Sequence, residues 1–167
     1  MEPVEGLEWK ESWAERVVVT AQITCRDSTG VGKPCPVAIG WIMHIANCNV
    51  LIIGDEISLL KNLIAFFEDE GIEVRGAASG EEGLELLHKE HIDAMIVDLR
   101  LPGIDGNETI MRAHTLQPSI RFIIHTGSMD YHIPAGLREI GIDQDAVFIK
   151  PLSDLTVLTD AVRSLCG

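Results

Sequence analysis

The stretch Ile92-Asp93-Ala94-Met95-Ile96-Val97-Asp98, followed by Leu99-Arg100-Leu101-Pro102-Gly103, decides how this chain folds. From Ile92 to Val97 only Asp93 is polar, and Ile92, Ile96 and Val97 are β-branched, which favours an extended backbone. So short a run without polar alternation reads as a strand covered on both faces, the signature of a parallel sheet. It ends on a carboxylate, Asp98, and breaks at the Leu101-Pro102-Gly103 turn. Sites in such sheets form beyond the carboxyl ends of the strands, so a fold that covers Ile96 and Val97 presents Asp98 at its edge.

Outward from this strand the same unit recurs. Val50 to Ile53 is a short apolar run that stops at Gly54-Asp55. Leu60, Leu63, Ile64 and Phe67, three or four apart, predict a helix with Gly71 as its stop. Glu73 to Ala77 predicts a weaker second strand. Ser79-Gly80-Glu81-Glu82 is a capping box, opening a helix that carries Leu84, Leu87 and His91 inward or near its end. Beyond Asp98 the pattern predicts a third helix from Thr109 to Leu116 and a fourth strand from Ile120 to Ile124, ending at His125-Thr126-Gly127. A short helix around Pro134 to Ile140 and a fifth strand from Ala146 to Ile149 follow. Ser153 is the expected cap of a last helix with Leu155, Leu158, Val162 and Leu165 inside. Strands and helices in alternation, joined by right-handed crossovers, predict an α/β fold: a five-stranded doubly wound parallel sheet with helices on both faces.

Composition narrows the function. The 167 residues are 46% hydrophobic, enough for a packed core, and the net charge of −13 argues against a nucleic-acid surface, which needs a basic patch. Cys25, Cys35, Cys48 and Cys166 are scattered without a CxxC pair, so reduced thiols are expected. No apolar stretch reaches the ~20 residues of a membrane span. Val37 to Ile53 is interrupted by His44, Asn47 and Asn49. No signal-peptide pattern opens the chain, and a cytoplasmic protein is expected. All three tryptophans (Trp9, Trp13, Trp41) precede Cys48, and the regular alternation begins after it. The expected organisation is an N-terminal extension over 1–48, with Met43 as an alternative start of translation, and one domain over 49–167.

At the predicted strand ends stand Gly54-Asp55-Glu56, Asp98, Thr126 and Lys150. Mg²⁺ prefers oxygen ligands and is commonly held by one or two carboxylates with several waters. A carboxylate can act as nucleophile, and phosphoryl transfer needs its spreading negative charge neutralised, which a metal, a lysine and a hydroxyl supply.

The pieces VLIIGDE (50–56), DAMIVDLRLPGIDG (93–106), FIIHTGS (122–128) and VFIKPL (147–152) resemble the response-regulator receiver domain of two-component signalling. The resemblance spans Asn49 to about Leu165 and implies strand order 2-1-3-4-5. It implies that Asp98 accepts a phosphoryl group from a sensor histidine kinase or phosphotransfer protein, with Mg²⁺ (or Mn²⁺) as cofactor. Asp55, Asp98 and the Arg100 backbone carbonyl would hold the metal, with Glu56 contributing only through a water. Thr126 and Lys150 would answer the phosphoryl group, and Lys150-Pro151 would be cis. The implied output is protein–protein contact on the face of the fourth helix, fifth strand and fifth helix; a homodimer is compatible. No nucleic acid, no membrane and no metabolic enzyme activity are implied.

The chain departs from the family pattern in places. Gly54 stands where an acid of an acidic pair is usual, and Val147 where an aromatic is common; Phe148 would face the other side of its strand. The Gly141–Ala146 loop is about two residues longer than the family's common form. His125 has no partner motif and reads as an ordinary polar strand-end residue. No output segment follows Gly167, so a stand-alone receiver is expected; the rival reading is a pseudo-receiver that binds proteins without phosphorylation. In the first 48 residues, Val17 to Thr24 reads as a strand and Arg26 to Pro36 as a loop. Gly30-Val31-Gly32-Lys33 fails as a phosphate loop, because Asp27 and Pro34 occupy its required positions. Trp9 and Trp13, four apart, could form a partner-binding face.

Overall fold

A computed structural model describes residues 24–26, 32–34 and 48–166. The chain divides into two units, Met1–Ile42 and Met43–Gly167. In the first, β1 (Thr24–Arg26) pairs antiparallel with β2 (Gly32–Pro34), Thr24 opposite Pro34 and Arg26 opposite Gly32. This corrects the expectation of a loop from Arg26 to Pro36. Arms of three residues, one of them with Gly32 and Pro34, have no alternation to betray them. Residues 17–23 of the expected strand and the three tryptophans lie outside the described residues.

The second unit runs β3 (Asn49–Ile53), α1 (Ile57–Asp69), β4 (Glu73–Ala77), α2 (Gly80–Leu87), β5 (Ala94–Val97), α3 (Gly106–Leu116), β6 (Arg121–Thr126), α4 (Ala135–Glu139), β7 (Val147–Ile149) and α5 (Thr156–Cys166). The five strands are parallel in the order β4-β3-β5-β6-β7, the 2-1-3-4-5 arrangement. Because side chains alternate along a strand, the sheet feeds two cores. Leu51, Ile53, Met95, Val97 and Ile124 pack with Leu87, Ile110 and Leu137 on one face. Val50, Ile52, Ile96 and Ile123 pack with Leu60, Phe67, Leu158 and Val162 on the other. Each large side chain so buried contributes about 1.5–3 kcal/mol, which is why an almost wholly apolar β5 sits at the sheet's centre.

Several boundaries differ from the sequence reading. Helix α3 begins at Gly106, ahead of Thr109, because Asp105 caps it by accepting the Glu108 amide at 2.8 Å. Asp154, not Ser153, accepts the Thr156 amide at 2.9 Å where α5 starts. His91 lies beyond α2 and is exposed, and Leu165 is exposed on α5. The Ser79 hydroxyl accepts the Glu82 amide at 3.2 Å, while the Glu82 carboxylate reaches back to the Ala78 amide at 2.7 Å. Gly71 follows α1 with φ 77°. The Gly141–Ala146 loop holds a 3-10 turn, Gln144–Ala146, with Asp143 accepting the Asp145 amide. Gln117 braces the approach to β5, accepting the Ile92 amide and donating to the Leu87 and Glu90 carbonyls.

The expectation of reduced cysteines is corrected for one pair. Cys48, just before β3, and Cys166, the last residue of α5, form a disulfide with Cα atoms 5.9 Å apart. They are 118 residues apart in the chain, so no local spacing announces a bond that the fold alone brings together. No helix among the described residues is long and apolar enough to cross a membrane.

Candidate functional site

The carboxyl ends of the strands are latched side by side by the backbone. The Gly54 amide donates to the Ala77 carbonyl at 3.1 Å, the Asp98 amide to the Ile53 carbonyl at 2.9 Å, and the Lys150 amide to the Thr126 carbonyl at 2.7 Å. Position 54 and Asp98 therefore flank one another, as do Thr126 and Lys150. From above, α3 presses its first residue onto this edge. The Gly106 amide donates to the Leu99 carbonyl, and a Cβ on Gly106 would come within 2.5 Å of the Asp98 carbonyl oxygen. Only glycine permits that approach.

Asp98 is 8% exposed. Its Oδ2 accepts the Lys150 ammonium, and its Oδ1 accepts the Arg100 amide at 3.1 Å. Both partners are largely sheltered from water, so each charge is costly without the other. Thr126 is fully buried, with its hydroxyl accepting the Ser128 amide at 3.1 Å. The loop beyond it is tied to α3 by the Tyr131 hydroxyl, which donates to Asn107 at 2.6 Å. The Lys150–Pro151 bond is cis. The structure thus joins Asp98, Lys150 and the Arg100 backbone directly and sets Thr126 beside Lys150.

The β3 side is barer. Asp55 and Glu56 are exposed. Glu56 nevertheless lines a pocket with Gly54, Leu59, Asp98, His125 and Lys150. A Cβ at Gly54 would meet no atom within 4 Å, so packing does not demand glycine there.

His125 is the residue that sequence reasoning passed over. It is 4% exposed, and its Nε2 is buried without a hydrogen-bond partner among the described residues. Burial, reinforced by the Lys150 charge and opposed by Asp98, lowers its pKa to about 4, so the ring is neutral at pH 7. Its signal in the sequence was a polar residue closing the apolar run Phe122-Ile123-Ile124. Val147 and Phe148 face opposite cores, as the strand's alternation requires.

Among the described residues no group of three or more His, Cys, Asp or Glu side chains is gathered to hold a metal ion. Mg²⁺ does not need one, since it keeps several waters and takes one or two carboxylates. Asp55, Asp98 and the Arg100 carbonyl are oxygen donors of that kind, and the open space over Gly54 leaves room for coordinated water. The donor set fits Mg²⁺ or Mn²⁺.

Residues 50–163 match the family described as the response regulator receiver domain. The chain is 31% identical over 117 residues to sporulation initiation phosphotransferase F of Bacillus subtilis strain 168, covering 70% of this chain and 92% of that protein. Other relatives are longer, the chain spanning 24% of one and 47% of another. Among solved structures, a CheY-like receiver domain from Methanospirillum hungatei JF-1 is 29% identical with a TM-score of 0.59, covering 71% of this chain and 93% of that one. Response regulator TrrA from Thermotoga maritima, in complex with Mg²⁺-BeF, shares the fold at 22% identity and a TM-score of 0.62, covering 71% of this chain and 98% of that one.

Proposed function

Because the chain belongs to the response-regulator receiver domain family, we propose that it is a phosphoryl acceptor of a two-component pathway, with Asp98 as the nucleophile. The single observation that carries this reading is the Asp98 carboxylate held between the Lys150 ammonium and the Arg100 amide at the carboxyl edge of the sheet. An Asp98 oxygen attacks the phosphorus of a phosphohistidine on a histidine kinase or phosphotransfer protein. The phosphorus–nitrogen bond breaks and its electron pair returns to the donor imidazole. Asp55, Asp98 and the Arg100 carbonyl would hold Mg²⁺ or Mn²⁺, with Glu56 acting through a water; when bound, the cation neutralises phosphoryl charge. Lys150 exchanges its carboxylate partner for a phosphoryl oxygen, and the Thr126 hydroxyl leaves the Ser128 amide to bond another.

The reading extends to output by protein–protein contact on the face of α4, β7 and α5, in the cytoplasm. The match to nearly the full length of the Bacillus phosphotransferase supports a receiver that works without an output domain. The chain modifies itself and is not an enzyme of metabolism. Gly54 favours one rival, a pseudo-receiver that binds proteins without phosphorylation.

Intact-mass spectrometry after incubation with acetyl phosphate, with and without Mg²⁺, separates the two. A Mg²⁺-dependent gain of one phosphoryl group, absent from Asp98→Ala, supports the receiver. No gain in folded protein at millimolar Mg²⁺ supports the binding module.

A further inference from the structure

The pocket beside the acceptor brings together two departures that look unrelated in the sequence. Gly54 removes an acidic side chain from the end of β3 and leaves space in which a Cβ would touch nothing within 4 Å. His125, one residue before the end of β6, lines the same pocket with Asp98 and Lys150. The preceding residues Ile123 and Ile124 are apolar and buried, and an apolar residue at 125 would continue the strand without burying a polar nitrogen. Instead, Nε2 lies in the interior with no protein partner among the described residues. Buried polar nitrogens in folded proteins are nearly always hydrogen-bonded, to protein or to water.

Lys150 and Asp98 are bonded to each other, and neither makes a hydrogen bond to Nε2. No side chain of the pocket that opens beside Gly54, Glu56 and Asp98 bonds this nitrogen, and water is a partner of suitable chemistry there. A divalent cation held by Asp55 and Asp98 would bring its own, because Mg²⁺ and Mn²⁺ at such sites keep much of their hydration shell.

We propose that His125 stands in for the acid absent at position 54, its Nε2 hydrogen-bonding a water in the hydration shell of the site's divalent cation. This rests on the receiver reading. His125 is a positioning residue: it orients a water, carries no phosphoryl group and does not touch the metal. Groups that orient the ligands of a metal in this way typically change its affinity 10- to 100-fold when removed.

The test is Mn²⁺ binding to the full chain, read from the electron paramagnetic resonance signal of free Mn²⁺, with folding checked by circular dichroism. His125→Leu is expected to weaken Mn²⁺ binding about 10-fold. His125→Asn, which keeps a hydrogen-bonding group, is expected to stay within about 3-fold of the native chain, and Gly54→Asp added to His125→Leu to recover the lost affinity. A folded His125→Leu that binds Mn²⁺ as tightly as the native chain overturns the proposal. If His125→Leu does not fold, the ¹⁵N resonance of His125 Nε2 in the native chain decides. Movement on saturation with Mg²⁺ supports the proposal, and an unmoved resonance overturns it. A native chain that binds no Mn²⁺ overturns the cation-dependent receiver reading as well. A native chain that binds Mn²⁺ and takes a phosphoryl group on Asp98, while His125→Leu binds equally well, overturns this inference alone.

Discussion

The two sides of the site are built differently. On the β5–β6–β7 side, Asp98 is 8% exposed, held by an ammonium and an amide, and pressed from above by α3. On the β3 side, Asp55 and Glu56 are exposed and position 54 has no side chain. The lesson is that the proposed nucleophile and its cationic partner are specified by packing, whereas the side proposed to hold the cation is specified mostly by charge. Packing tolerates little change, but charge can be supplied from more than one place.

Substitutions that break the packed side carry the largest expected effects. Asp98→Asn removes the nucleophile and abolishes the phosphoryl adduct, read by intact mass, with the fold retained. Lys150→Met leaves the carboxylate without its cation and lowers the rate of adduct formation from acetyl phosphate by about 100- to 1000-fold, measured as a time course. Gly106→Ala forces a Cβ against the Asp98 carbonyl and destabilises the domain by about 2–3 kcal/mol, read from urea unfolding.

The open side sharpens the contrast with smaller effects. His125 has a folded pKa near 4 against about 6.5 unfolded. The unfolded chain therefore binds the extra proton between those values, and stability rises with pH across that window. In chelator-treated protein, His125 withdraws on the order of 1–2 kcal/mol as pH falls from about 6.5 to 4. That part of the pH dependence is expected to be missing from urea titrations of His125→Leu. Gly54→Ala meets open space without a positive φ to forbid it, and is expected to stabilise by under about 1 kcal/mol through the unfolded chain. A destabilising Gly54→Ala would show that packing governs this side too.

What could be read from the sequence follows the same division. The strand order's anchor, the apolar run closed by Asp98, was legible because burial on both faces leaves a composition that few other structures produce. The positions of Thr126 and Lys150 followed from counting strand ends. The start of α3 was misplaced because Asp105 and Glu108 fall between the Leu101-Pro102-Gly103 turn and the helix read from Thr109, although that spacing is itself a cap. His125 was legible as a polar residue but not as a buried one. Its setting is made by elements far apart in the chain, namely Gly54, Asp98 and Lys150. The Cys48–Cys166 bond was illegible for the same reason.

That bond has a mechanical meaning. Cys48 precedes the first strand of the parallel sheet and Cys166 closes the last helix, so the oxidised domain is a covalent ring. A pull applied to the chain on either side of it travels through the sulfur–sulfur link and leaves the strands, and Asp98 at their ends, unstretched. Once the link is reduced, the same tension is carried by α5 and by β3, which pairs with β5, the strand that leads to Asp98.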